Sequence, residues 1–343
     1  MTVILGLESS CDDSAAALVT HDRRILAQAV VGQNAEHQPY GGVVPEIAAR
    51  AHVEILPGLI GKVLDDAKLA IGDVDAIAAT AGPGLIGGVM VALLAGKGLA
   101  LAAGKPLIAV NHLEGHALSP RLADPDLDFP YLLLLVSGGH CQLLEVRGVG
   151  DYRRLATTID DAVGEAFDKA AKLLGLPYPG GPAIEQLAKS GSPDAVPLPR
   201  PLVGSREPHF SFAGLKSAVQ RAMASGNFRR EDIAAALQQA VVDCLVDRTR
   251  LALAKTEART LVVAGGVAAN QAIRGALAEL ATANGRAFSV PPGWLCTDNA
   301  AMIAWAGAER FAAGERDPLD VPARARWPLD ERAEKVRGAG VKA

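Results

Sequence analysis

Apolar runs broken by short turns of small and acidic residues organise the start of the chain. The stretch "TVILGLESSCDDSAAALV" at 2–19 predicts a strand, a tight polar turn over Ser9 to Asp13 and a second strand. The pattern returns at 131–146, where "YLLLLVSGGHCQLLEV" places its turn at Ser137, Gly138 and Gly139. Downstream of each copy an apolar strand ends in glycines and launches a helical pattern: "VDAIAATAGPGLIGGVMVALLAGKGLA" at 74–100 and "RTLVVAGGVAANQAIRGALAELA" at 259–281. The chain therefore reads as a diverged duplication, two mixed sheets with flanking helices. Such an α/β, two-lobed architecture sets small-residue turns opposite each other across a cleft. Their backbone N–H groups suit phosphates, so a nucleotide cleft between the lobes is expected.

The interval 147–215 is dominated by Pro, Gly and Arg and reads as loops over the cleft, ahead of a helical run from Glu231 to Lys255. Phe210 and Phe212, two apart, read as strand residues on one face. The most apolar stretch, 82–104, is long enough for a membrane span, but it opens with Gly-Pro-Gly and carries Lys97 at its centre. It reads as a buried helix. The lobes are expected at 1–125 with 296–343, and at 126–295.

Composition narrows the class. With 343 residues, 4% aromatics and 36 glycines, close packing of small side chains is favoured over a deep aromatic pocket. The four cysteines, Cys11, Cys141, Cys244 and Cys296, have no CxxC spacing, and the start lacks a signal pattern, so a reducing cytoplasm is expected. A net charge of -4 gives no general attraction to nucleic acid. A local basic face would have to come from Arg200 with Arg206, or from Arg324, Arg326, Arg332, Lys335 and Arg337.

Candidate chemistry concentrates in a few places. In "AVNHLEGH" at 109–116, a helix would put His112 and His116 about 40° from eclipsed, so both imidazoles reach one ion. The metalloprotease pattern HExxH sets its general base directly after the first His. Here Leu113 stands there, and Glu114 points away from the ion. Asp298, before an apolar helix at Ala300, is either a third ligand or an N-cap. Two histidines and one carboxylate leave coordination positions open, which suits Fe(II) or Zn better than a closed structural site. Asp12 and Asp13 sit in the first turn. Glu165 and Asp168 are three apart on an expected helix, Asp168 with Lys169 reading equally as surface charge. Asn270 either bonds a ligand or caps a helix.

These residues fall in nine ordered motifs: "GLESSCDDS" at 6–14, "GGVVPEIAARAH" at 41–52, "AGPGLIGG" at 81–88, "NHLEGH" at 111–116, "LVSGGH" at 135–140, "DDAVGEAFDKAAKLLGLPYPGGP" at 160–182, "FSFAGLKS" at 210–217, "AGGVAAN" at 264–270 and "CTDNAAMIA" at 296–304. Over nearly its whole length the chain resembles the bacterial TsaD branch of the enzymes that install threonylcarbamoyl on adenosine 37 of tRNA. The resemblance implies the actin and sugar-kinase type of fold (ASKHA, ribonuclease H-like). It implies His112, His116 and Asp298 as ligands of one divalent metal per subunit, Fe(II) ahead of Zn. It implies Leu135, Val136, Ser137, Gly138, Gly139, Asp168, Gly181 and Asn270 as the surface for threonylcarbamoyl-AMP, and Asp12 and Asp13 as catalytic carboxylates. It further implies a tRNA substrate, a heterodimer with a shorter TsaB-like paralogue, help from a small TsaE-like ATPase, and a TsaC-type synthase supplying the adenylate.

The chemistry then expected is attack of N6 of the adenosine on the carbonyl of a mixed carbamate anhydride, with AMP leaving and Asp12 as the first choice of proton acceptor. Three rivals remain at this point. A metallopeptidase lacks its base. A sugar or acetate kinase needs Mg²⁺ held by phosphates and carboxylates rather than two histidines. A non-catalytic scaffold would have no use for the metal trio.

Overall fold

The apolar runs of the first repeat become a five-stranded sheet in the computed structural model, which describes residues 1–40, 42–334 and 336. Gly41, Lys335 and Arg337, named above, lie outside the described residues. Strands β1 (Val3–Glu8), β2 (Asp13–Thr20) and β3 (Ile25–Gly32) form an antiparallel meander, with Gly6 opposite Ala17. Asp13 therefore opens a strand, and the turn itself is Ser9 to Asp12. Helices α1 (Asn34–His37) and α2 (Pro45–Ala67) follow. Then come β4 (Ala76–Gly82), α3 (Ile86–Ala103), β5 (Leu107–Asn111) and α4 (His112–Ala123). β4 pairs parallel to β1, and β5 parallel to β4, giving the order β3-β2-β1-β4-β5.

The second repeat builds the same sheet. β6 (Tyr131–Val136), β7 (Cys141–Gly148) and β8 (Asp151–Thr157) form the meander, followed by α5 (Val163–Leu173), α6 (Gly180–Ala188), α7 (Ala213–Ser225) and α8 (Arg230–Leu253). β9 (Thr260–Ala264) lies parallel to β6; α9 (Gln271–Ala283), β10 (Ala287–Ser289) and the short α10 (Gly293–Cys296) close the unit. The order β8-β7-β6-β9-β10 is that of the first sheet, element for element. The chain then returns to the first unit with α11 (Ala300–Ala312). The two compact units are Met1–Asp126 with Thr297–Glu331, and Leu127–Cys296 with the described residues from Arg332 onward.

In the first unit every position of β1 and β4 is buried, as expected for central strands covered on both faces. Leu5, Leu7, Ile77 and Ala79 face α2 and α3 in one apolar cluster. The alternate face meets α11 so closely that a Cβ on Gly6 would lie 2.4 Å from the Ala300 carbonyl oxygen and 2.5 Å from the Ala304 nitrogen. Gly6 is thus a docking point for the helix that begins beside Asp298.

Three readings of the sequence are corrected. Helix α3 is not buried all round: it has the length and apolarity of a membrane span, yet only 33% of it is buried, and Ile86, Met90, Leu94 and Leu101 line an exposed stripe. Its other face packs on β4 and β1, and the Lys97 amine donates to the Val321 carbonyl at 2.6 Å, the arrangement of an α/β surface helix. The interval 147–215 is loop only in part: it holds β8, α5 and α6, while the Pro-, Gly- and Arg-rich stretch 189–212 carries no helix or strand. Phe210 makes only a single bridge to Thr158, and Phe212 stands at the start of α7. Their rings stack at 6.0 Å in the core, because Asp160 gathers the N–H groups of Phe212 and Ala213 and bends the chain into the helix.

Candidate active site

Helix α4 starts at His112 because Asn111 caps it, its side chain accepting from the Leu113 N–H at 2.9 Å. His112 therefore opens the helix and His116 follows one turn on, on the same face, their rings edge-on with centroids 4.8 Å apart. Asp298 lies before α11, where Asn299, not Asp298, is the cap: the Asn299 side chain accepts from the Met302 N–H at 2.9 Å. Asp298 is thereby left to face the histidines. Its Oδ1 is 3.1 Å from His116 Nε2 and 3.5 Å from His112 Nε2, and the three ligand atoms all lie within 4.8 Å of one another.

A residue passed over in the sequence completes this cluster. Glu8, fully buried at the end of β1, accepts from His112 Nδ1 at 3.0 Å and from the Thr80 hydroxyl at 2.6 Å. Ser10 Oγ lies 3.0 Å from the same ring nitrogen. With its proton on Nδ1, His112 turns the Nε2 lone pair toward Asp298. This carboxylate–histidine arrangement orients a ligand and raises its basicity. His116 Nδ1 is buried with no hydrogen-bond partner among the described residues, so that ring is not committed elsewhere. Two imidazoles and one carboxylate, one ring preset by a buried acceptor, fit a divalent ion of the Fe(II) or Zn kind. Glu114 is excluded from the cluster, since Arg310 holds it at 3.0 Å.

The electrostatics follow from crowding of carboxylates. Burial pushes the His112 pKa down, but Glu8 and Asp298 outweigh it and raise the group to about 9. Burial raises Glu8 as well, yet His112 holds it below the usual carboxylate value. Asp13 is raised to about 7 by burial and by the charges of Asp298, Asp12 and Glu8. A metal must displace the His112 proton, so its affinity should rise about tenfold per pH unit between pH 6.5 and 9. Raised folded values give stability that weakens with rising pH: for His112 it is complete below about 6.5 and lost through 9, and for Asp13 it declines from 3.8 through 7. The metal-free protein should melt lower at pH 9 than at pH 6. Calorimetric titration and thermal melts check both, and a metal affinity flat across that range would contradict the proton on His112.

Glu8→Gln should weaken metal binding by about 10–100-fold, because the neutral amide no longer fixes the ring. Titration with the metal in the presence of a competing chelator measures it, and an unchanged affinity would remove Glu8 from the centre.

The second unit carries the residues expected to bind the adenylate. Leu135 and Val136 end β6 with buried side chains, so they can serve a ligand only through backbone. Gly138 and Gly139 are exposed in the turn beyond, which closes through the Ser137 N–H to the His140 carbonyl at 2.8 Å. The start of α5 lies against this turn: a Cβ on Gly164 would come within 2.8 Å of Gly138 Cα. Asp168 is not surface charge. Burial raises its pKa, and its Oδ1 accepts from the Gly180 N–H at 2.7 Å, tying α5 to the start of α6, where Gly181 follows. Lys169 pairs instead with Asp161 and Glu165. Asn270 caps α9 through the Ile273 N–H and donates its amide to Gln238 Oε1 at 3.0 Å. Of the basic candidates, Arg200 pairs with Asp243, Arg206 is exposed, and Arg324 lies over the Trp327 ring.

Residues 24–305 match the family model of tRNA N6-adenosine threonylcarbamoyltransferase. The chain belongs to that family. Members of that name from Sphingopyxis alaskensis and Novosphingobium aromaticivorans are 76% and 68% identical to it, each over 100% of both chains. Among solved structures, HypF of T. kodakarensis is similar with a TM-score of 0.62 at 16% identity, covering 91% of this chain and 48% of that one. Component A of the (R)-2-hydroxyglutaryl-CoA dehydratase of Acidaminococcus fermentans is similar with a TM-score of 0.56 at 18% identity, covering 91% and 100%. At such identities these likenesses speak to fold alone, and the fold is the duplicated, actin-like α/β one. The family is one of transferases acting on tRNA.

Proposed function

We propose that this chain transfers the threonylcarbamoyl group of threonylcarbamoyl-AMP to N6 of adenosine 37 in tRNAs reading codons that begin with A, forming t6A and AMP. The N6–carbonyl bond forms, the carbonyl–oxygen bond to the AMP phosphate breaks, and N6 gives up one proton. The observation that carries this reading is the meeting of His112, His116 and Asp298, with Glu8 behind His112, in a chain of this family.

The substrate is already activated, so the protein needs positioning and charge stabilisation more than a nucleophile of its own. His112, His116 and Asp298 would hold the ion, which when bound would polarise the carbonyl as a Lewis acid. Fe(II) is our first choice and Zn the second. The turn from Leu135 to Gly139 would offer backbone N–H groups to the phosphate, with Asp168, Gly181 and Asn270 binding the rest of the nucleotide. The N6 proton would pass to the Asp12–Asp13 pair; a carboxyl near 7, as at Asp13, suits an acceptor at neutral pH. Glu114, engaged by Arg310, does not offer the base a peptidase needs.

The reading places the chain in the cytoplasm, beside a TsaB-like paralogue, a TsaE-like ATPase and a TsaC-type source of the adenylate. Incubation of these proteins with carbonyl-labelled adenylate and tRNA, then nucleoside digestion, tests it. Labelled t6A is the expected product; label left in the adenylate or released as bicarbonate, with no modified nucleoside, would contradict it.

A further inference from the structure

Three successive carbonyls hold the turn between β1 and β2 in place, each on a different donor. The Ser10 carbonyl accepts from the Leu85 N–H at 2.8 Å, the Asp12 carbonyl from the Gln33 N–H at 3.0 Å, and the Cys11 carbonyl from His52 Nε2 at 3.1 Å. The donors to Ser10 and Asp12 are backbone. The donor to Cys11 is a side chain of α2, and it is completely buried.

The hydrogen bonds around His52 define its tautomer. A carbonyl can only accept, so Nε2 carries the proton. Nδ1 then accepts from the Ser14 hydroxyl at 2.7 Å and the Gln33 amide at 3.1 Å. The amide oxygen of Gln33 accepts from His37 Nε2 at 3.1 Å, and His37 Nδ1 accepts from the Val44 N–H at 3.3 Å. A one-way chain of donors therefore runs from the segment before α2, through His37, Gln33 and His52, to the Cys11 carbonyl. Burial lowers the His52 pKa, in keeping with a neutral ring. A fully satisfied buried network of this kind specifies one geometry, since any slip leaves a desolvated polar group unpaired.

We propose that His52 is a positioning residue for the transfer reaction, fixing through the Cys11 carbonyl the turn that presents Asp12 and Asp13. This rests on the reading of those two carboxylates as participants in the reaction. His52 bonds to Ser14, Gln33 and the Cys11 carbonyl and to none of the three metal-ligand side chains, so its effect should fall on turnover rather than on metal loading.

The test uses the full chain with its partner proteins and compares wild type, Asp13→Asn, His52→Leu, His52→Gln and Gln33→Leu for kcat, for KM of the adenylate and for bound metal. His52→Leu should lower kcat about 10–100-fold, since small misplacements of reacting groups cost that much. KM should stay within about twofold and metal content should be unchanged. His52→Gln, which returns a donor near the Nε2 position, should recover most of kcat, and Gln33→Leu should show a smaller loss of the same kind. If His52→Leu does not fold, the Gln33→Leu and His52→Gln arms decide. Wild-type kcat in His52→Leu, or in Gln33→Leu where His52→Leu does not fold, beside an impaired Asp13→Asn would overturn the proposal alone. Full kcat in Asp13→Asn and in Asp12→Asn, assayed alongside, would overturn the reading beneath it. Loss of metal, or failure of His52→Gln to exceed His52→Leu, would assign His52 a general structural role and also overturn the proposal.

Discussion

His112→Ala should cut threonylcarbamoyl transfer by about a thousandfold or more while the protein stays folded. The ring is a ligand candidate facing Asp298 at 3.5 Å, and no other imidazole on α4 besides His116 can replace it. Losing it leaves one imidazole and one carboxylate, a pair too weak to hold a borderline cation in an open site. The carbonyl would then lose electrophilic activation worth several kcal/mol, and each 1.4 kcal/mol is a factor of about ten in rate. Stability should fall as well, by about 3 kcal/mol, because truncation leaves the buried Glu8 carboxylate without its imidazole partner and with the Thr80 hydroxyl still donating to it. Transfer assays with metal analysis and circular dichroism separate the two effects. A folded variant with wild-type turnover would remove the ion from the chemistry.

The second large effect is on stability. Gly6→Ala should destabilise the first unit by about 3 kcal/mol or more, because the added methyl meets backbone that cannot rotate away. Its contacts would be the Ala300 carbonyl, the Ala304 nitrogen and the Ala304 Cβ, all under 3.0 Å. Relief requires α11 to move off the sheet, and α11 begins two residues after Asp298. Metal affinity should therefore fall with stability, an effect a remote cavity or surface change would not share. Denaturant melts and metal titration on the same sample check it; full stability would mean that α11 is not seated on Gly6.

The contrast between these two positions shows what a sequence declares. The histidines are declared by their spacing, and Asp298 by its place in a motif, but the choice between ligand and cap depended on Asn299 taking the cap. The duplication was legible because continuous apolar runs and glycine turns recur in order, and the two sheets have the same strand order. Glu8 was hidden because it closes an otherwise apolar strand, although a lone charge there is a signal that a partner must be waiting. Phe210 and Phe212 misled because spacing of two is weak evidence when Asp160 diverts the backbone. Helix α3 misled differently: hydrophobic content does not say how much of a helix is covered, and its exposed stripe emerges only from packing. His52 closes one of the nine motifs and Gln238 none, but the role of each exists only in hydrogen bonds across distant segments and has no sign in the sequence around it.

The most direct measurement is t6A formation by the wild-type chain with its partners, first stripped of metal by chelation and then titrated back with Fe(II) or Zn. Transfer should disappear on stripping and return in proportion to occupancy, saturating near one ion per chain, while His112→Ala and His116→Ala fail to respond. Full transfer by the stripped protein, or recovery that ignores both histidines, would contradict the account.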